Sequence, residues 1–139
     1  FIDVVEVDGV VGAVAVSYSG KVLKAANKHT FALLRHYHNG SRFVIQNNVL
    51  PLLQVKEAEE DEYYLDSLAV HPKFRGRGLG TALLNHVQKK AKKNGYKKTS
   101  LLVEHGNMGA YRLYRKIGYK AAGEVRMKHM LFTKLIKMV

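Results

Sequence analysis

Leu65-Asp66-Ser67-Leu68-Ala69-Val70-His71-Pro72-Lys73-Phe74-Arg75-Gly76-Arg77-Gly78-Leu79-Gly80-Thr81 decides how the rest of the chain is read. A strand-like run from Tyr64 to Val70 turns through His71 to Phe74 and meets a glycine-rich segment, Arg75 to Gly80. A helix follows to Asn94, with Leu83, Leu84, Val87 and Ala91 on one side. Strand, glycine turn and helix start together make an anion site. The N–H groups of a helix's first turn lack intrahelical partners, and the helix dipole leaves partial positive charge there. Glycines let that backbone approach a bulky anion closely. Arg75 and Arg77 add forked donors suited to phosphate oxygens. The segment is expected to cradle a diphosphate.

Spacing excludes two common phosphate loops. A P-loop needs Lys after its last glycine, and Thr81 stands there. A dinucleotide fingerprint would need its third glycine at position 81. What remains is R-x-x-G-x-G at Arg75, Gly78 and Gly80, following Leu68-Ala69-Val70-His71-Pro72. This resembles the acetyl-CoA signature of the GNAT N-acetyltransferase superfamily. Taken alone, the hexapeptide also fits an ordinary glycine turn before a helix.

A second stretch resembles the same family. Asn107-Met108-Gly109-Ala110-Tyr111-Arg112-Leu113-Tyr114-Arg115-Lys116-Ile117-Gly118-Tyr119 matches N-x-x-A-x-x-L-Y-x-x-x-G-[FY] at every fixed position. Independently of the family, Asn107 is a suitable helix cap, and Ala110, Leu113, Tyr114 and Ile117 share one helical face. Thr99 to Val103 reads as a short apolar strand. A strand–helix–strand order implies a parallel pair with a right-handed crossover. Ligands in such sheets sit beyond the carboxyl ends of the strands, where Arg75 to Gly80 lies.

Outward from these motifs, Ile2 to Val7 and Val10 to Tyr18 are β-branched runs joined by Asp8-Gly9, a strong hairpin signal. Val10 to Val16 is apolar on both faces and is expected to be a central strand. Lys21 to Tyr37 reads as an amphipathic helix with Leu23, Ala26, Leu33, Leu34 and Tyr37 near a 3.6 period. Asn39-Gly40 is its expected cap, Arg42 to Val55 a helix interrupted at Pro51, and Lys56 to Glu62 an acidic, polar connection. Lys120 to Arg126 and His129 to Lys137 read as two closing strands.

The 139 residues fit one domain, residues 1–139, with a mixed α/β (α+β) architecture. The resemblance implies a central sheet with splayed parallel strands in its middle, flanked by helices. The chain begins inside a strand-like segment at Phe1. A truncated or processed start is therefore expected, without the strand and helices that the family places before the hairpin. Cys is absent, which excludes disulfides, thiolate metal sites and a Cys nucleophile. That fits a reducing cytoplasm, the expected location. No apolar run reaches the roughly 20 residues of a membrane span, and no signal-peptide pattern opens the chain. The net charge of +12 exceeds what coenzyme A alone would explain. It concentrates at Lys89-Lys90-Ala91-Lys92-Lys93 and Lys97-Lys98, where a solvated helix end is the ordinary reading. A nucleic-acid partner is not expected, since the lysine runs carry no interleaved aromatics and no DNA or RNA motif. The open edge of the first hairpin is a candidate homodimer contact.

The resemblance implies acetyl-CoA as co-substrate and a primary amine of unidentified source as acceptor. The donor's pyrophosphate would sit on Arg75, Gly76, Arg77, Gly78, Leu79, Gly80 and Thr81. Its pantetheine arm would pair with Leu68, Ala69 and Val70 as an added strand, with N–H groups there stabilising the oxyanion. Tyr114 would be the general acid toward the departing thiolate, although a satisfied core tyrosine is the ordinary reading of such a position. Asn107 would contact the pantetheine or serve only as a helix cap. The general base is open. Asp66 is the nearest carboxylate, pointing the same way as Tyr64, while Glu104 and His105 also approach the sheet's split. No metal is expected, because no histidine shows ligand spacing with carboxylates. The competing reading within this family is a non-catalytic acyl-CoA sensor.

Overall fold

The computed structural model describes residues 1–37 and 55–139. The Asn39-Gly40 cap and, but for Val55, the helix expected from Arg42 lie outside the described residues. Strand β1 (Ile2–Val7) and strand β2 (Val10–Ser19) form the expected hairpin, with both turn residues at positive φ, Asp8 at 51° and Gly9 at 76°. Helix α1 (Gly20–Tyr37) leaves β2 directly and is capped where the Val22 N–H reaches the Ser19 hydroxyl at 3.3 Å. Strand β3 (Tyr63–Val70) leads through a single 3-10 turn, Pro72–Phe74, into helix α2 (Leu79–Lys93). Strand β4 (Lys98–Glu104), helix α3 (Met108–Lys116), strand β5 (Lys120–Met127) and strand β6 (Met130–Met138) complete the chain.

The six strands form one sheet in the order β1-β2-β3-β4-β6-β5. Every neighbouring pair is antiparallel except β3 with β4, and that parallel pair is short. It joins Tyr63 to Thr99, Tyr64 to Ser100 and Leu65 to Leu101, and then stops. β3 continues beside β2 as far as Val70, while β4 continues beside β6 as far as Glu104. The divergence begins at a bulge. Along β2, Ser17 faces Leu65 and Val16 faces Ser67, so Asp66 is an extra residue in β3. An extra residue bends its strand and increases local twist. Here it turns β3 away from β4 at the point where their pairing ends.

The two faces of the sheet are filled differently. On one face Leu83, Leu84, Val87 and Ala91 of α2, with Tyr114 of α3, pack on Ala13, Ala15, Tyr63, Leu65, Leu101, Val103 and Leu135. The α2 stripe is the one expected from its spacing. On the other face Leu23 of α1 meets Ala58 and Tyr64, with Tyr18 and Leu102 against them. Beyond Leu23, Ala26 and Leu33 of the expected apolar face of α1 are exposed, Leu33 to 45%. Among the described residues no helix is long and apolar enough to cross a membrane.

Lys56 to Glu62 is more than a polar connection. Ala58 is buried, and Glu62 is only 1% exposed. The Glu62 carboxylate accepts from the Glu59 N–H at 2.9 Å and pairs with Lys134 of β6 at 2.9 Å, so it anchors this segment to the sheet. A second clamp fixes α2 to the sheet edge. Asp3 of β1 accepts from Lys90 at 2.7 Å and meets His86 at 3.2 Å.

Burial pushes the Glu62 carboxyl upward, but the Lys134 ammonium and the Glu59 N–H outweigh it, and the net value falls below the ordinary 4.5. A depressed carboxylate stabilises the fold above its unfolded value and loses that contribution as pH falls through the folded value. Glu62→Gln should therefore destabilise the protein by about 2 kcal/mol near pH 7. The difference from wild type should shrink as pH falls below the ordinary 4.5 and through the lower folded value, as chemical denaturation at a series of pH values would reveal.

Candidate functional site

His71 N–H bonds to the Gly12 carbonyl of β2 at 2.8 Å. Because strand groups alternate sides with a period of two, the N–H and C=O groups of Leu68 and Val70 point the opposite way, toward β4. β4 has already separated there. The sheet therefore carries a short open ladder edge in its middle, on residues expected to pair with an extended ligand. Ala69 turns its backbone to β2, where it faces Val14, so within this trio it offers a side chain and no open ladder group.

The glycine segment closes one end of this gap. Gly76 and Gly78 have φ of 74° and 80°, the left-handed region that favours glycine. Gly78 is the N-cap of α2, with no side-chain hydrogen bond at the cap and no acidic residue in the first turn. The N–H groups of Leu79, Gly80 and Thr81 thus stand at a helix start with no side chain competing for them. Arg75 is held by its Nε–H, which donates to the Val70 carbonyl at 3.4 Å, and the Arg77 guanidinium lies 5.4 Å from the centre of the Phe74 ring. Both arginines are exposed at the mouth of the loop. Donors, dipole and charge converge, and nothing negative stands among them. The arrangement fits a diphosphate.

One contributor went unread in the sequence. Gly12 is the extra residue of a bulge in β2, since Val5 faces Ala13 and Glu6 faces Val11. A Cβ at Gly12 would come within 3.1 Å of Leu79 and 3.2 Å of Phe74. The cradle therefore rests on a bare spot in β2. An isolated glycine inside an apolar strand is itself a sign of a bulge or a close approach, and that signal was present.

On the same face as the cradle helix, Tyr114 is 8% exposed and stands edge-on to Tyr119, with ring centres 6.0 Å apart. Tyr119 is tied down by the Thr99 hydroxyl, which donates to its oxygen at 2.9 Å. Tyr114 has no such partner among the described residues, and burial, helped by Tyr119, pushes its phenol up to about 12. Asn107 caps α3: its side-chain oxygen accepts from the Ala110 N–H at 3.1 Å. The cap occupies that oxygen and leaves the amide NH2 for other partners.

Asp66 lies on the opposite face. The bulge puts it beside Tyr18 and Tyr64, and the Ser67 hydroxyl donates to its carboxylate at 3.0 Å. Of the other candidate bases, Glu104 ends β4 in the open, and His105 stands 3.4 Å from Glu124 of β5. Among the described residues no group of three His, Asp or Glu side chains is gathered as for a metal ion. A cleft of about 710 Å³ lies at the far end of α2, lined by Lys21, Asp61, Tyr96 and Lys98, and has no part in this arrangement.

Comparison with known proteins agrees with the geometry. The family model described as the acetyltransferase (GNAT) family matches residues 7–119. An uncharacterized N-acetyltransferase of Methanocaldococcus jannaschii is 41% identical over 56 residues, which are 40% of this chain and 25% of that protein. The chain thus spans a quarter of the length of this curated relative. The crystal structure of an N-acetyltransferase from Staphylococcus aureus superposes with a TM-score of 0.73 at 30% identity, covering 98% of this chain and 69% of that one. A further acetyltransferase crystal structure gives a TM-score of 0.69 at 28% identity, covering 98% and 68%. With the split sheet, the glycine cradle at its mouth and a family match over most of its length, the chain belongs to the GNAT acetyltransferase family.

Proposed function

We propose that the chain is an N-acetyltransferase that moves an acetyl group from acetyl-CoA to a primary amine. The observation that carries this reading is the open ladder edge at Leu68 and Val70, ending at an uncapped helix start with two arginines. A thioester whose diphosphate sits on the loop from Arg75 to Thr81 can lay its amide-bearing arm along that edge as an added strand. Family membership supports the same donor.

The neutral amine nitrogen attacks the thioester carbonyl carbon, the C–N bond forms and the C–S bond breaks. An N–H group of Leu68 or Val70 takes up the charge that develops on the carbonyl oxygen. Asp66, on the face opposite Tyr114, receives the proton released by the amine, directly or through water. Tyr114 faces the departing sulfur as general acid. A phenol near 12 stays protonated at every working pH, as a donor must. Against a thiol of about 8.5, full transfer from that phenol is uphill, so much of its help is a hydrogen bond to the growing negative charge. Asn107 holds the start of α3, and with it the position of Tyr114.

Calorimetric titration of acetyl-CoA should give a dissociation constant of submicromolar to about tens of micromolar, weakened more than about tenfold in Arg75→Ala/Gly78→Ala. No binding to wild type would remove the donor assignment, and binding without turnover of any amine would make the chain an acyl-CoA sensor.

Tyr114→Phe should lower kcat by about 10- to 100-fold while the KM for acetyl-CoA changes less than about threefold, in steady-state assays over an amine panel.

A further inference from the structure

The loop from Arg75 to Gly78 has little packing of its own. All four residues are exposed, and a Cβ built on Gly76 or Gly78 would meet nothing within 4 Å. Among the described residues its hydrogen bonds reach only its own flanks. Arg75 donates to the Pro72 and Val70 carbonyls at 3.3 and 3.4 Å, and the Gly78 carbonyl accepts from the Ala82 N–H at 2.9 Å. A segment with so few contacts takes its position from its ends. Those ends are Phe74 on one side and Leu79 on the other, and both lie over Gly12 of β2. A Cβ at Gly12 would stand 3.2 Å from Phe74 Cδ2, 3.1 Å from Leu79 Cδ1 and 3.2 Å from Val7 Cγ2. The Gly12 carbonyl also accepts from the His71 N–H at 2.8 Å, which fixes where the chain leaves β3. Phe74 in turn carries the Arg77 guanidinium 5.4 Å from its ring centre, and the His71 ring at 5.6 Å.

Gly12 is not among the glycines at positive φ. Its backbone would accept a side chain, and only the space around it requires a glycine. Of the three neighbours that a side chain would press, Val7 is held in the β1 ladder opposite Val10. The other two are the anchors of the loop, so they are the ones left to move. We propose that Gly12 is a positioning residue for the donor: its bare α-carbon seats Phe74 and Leu79, and so sets the distance from Arg77 and the first-turn N–H groups of α2 to the open edge of β3. One ligand must meet the cradle with its diphosphate and the edge with its extended arm. The spacing between the two therefore decides whether both are held at once. This deepens the transferase reading, and it rests on that reading for the identity of the ligand.

Two donors that share the arm and differ in the phosphates separate this role from a general loss of packing: acetyl-CoA and S-acetylpantetheine. The ratio of their kcat/KM values in wild type measures what the cradle contributes. Gly12→Ala should raise the KM for acetyl-CoA about tenfold, and Gly12→Val more, with kcat changed less than about threefold. S-acetylpantetheine should change less than about twofold, so the donor ratio shrinks as residue 12 grows. Calorimetric titration of CoA, which needs no turnover, should show the same weakening of about tenfold in Gly12→Ala. Equal losses for the two donors would overturn the proposal and leave the donor assignment standing. So would an unchanged KM for acetyl-CoA in Gly12→Val. Absence of CoA binding by wild type would remove the donor assignment, and this role for Gly12 with it. Phe74→Ala withdraws one anchor while Gly12 stays intact, and it should shrink the donor ratio in the same way. An unchanged ratio there would also overturn the proposal, so a failure of the Gly12 variants to fold would not shield it.

Discussion

A parallel strand pair that stops after three residues governs this molecule. Backbone groups inside a sheet are normally consumed by their neighbours, since an unpaired buried N–H or C=O is costly. Here the Asp66 bulge draws β3 off with β2, β4 remains with β6, and the ladder N–H groups of Leu68 and Val70 face the gap in the centre of the sheet, where the Val70 carbonyl accepts from Arg75. The core bridges beneath the gap through Leu65, Leu101, Val103 and the α2 stripe. The cradle and the buried Tyr114 are arranged around that opening.

Charge is distributed unevenly around the opening. At its mouth are Arg75, Arg77 and the positive end of α2, with no acid in the first turn. Across the sheet, Glu57 accepts from Tyr64 and Asp66 from Ser67. Among the described residues, Glu59, Glu60, Asp61 and Glu62 near β3 are each paired with a lysine. The lysines in the last turn of α2 serve structure in part: Lys90 clamps Asp3 of the edge strand.

What the sequence reveals follows from how local each feature is. The cradle and the capped helix with Tyr114 are contiguous motifs whose spacing depends on one strand and one helix, and both were legible before any coordinates. The first hairpin, with its Asp8-Gly9 turn, was legible for the same reason. The placement of residues 56–62 was not, because it depends on how they fold back over the sheet, and a run of acids looks alike whether buried or solvated. Glu62 shows this most clearly: next to Asp61 in sequence, it is nearly inaccessible while Asp61 faces water. Gly12 lay between these cases. Its signal was local, but what it makes room for, Leu79 and Phe74, is more than sixty residues away.

The bulge at Asp66 also bears on the order of events. It places Asp66 on one face of the sheet while Tyr114 and the cradle helix occupy the other. On the proposed reading, donor and acceptor enter by separate doors and meet only at the gap, so neither must leave for the other to bind. Such a site favours a ternary complex and intersecting double-reciprocal plots over a ping-pong cycle. A chain without cysteine has, in any case, no thiol on which to park the acetyl group between two half-reactions.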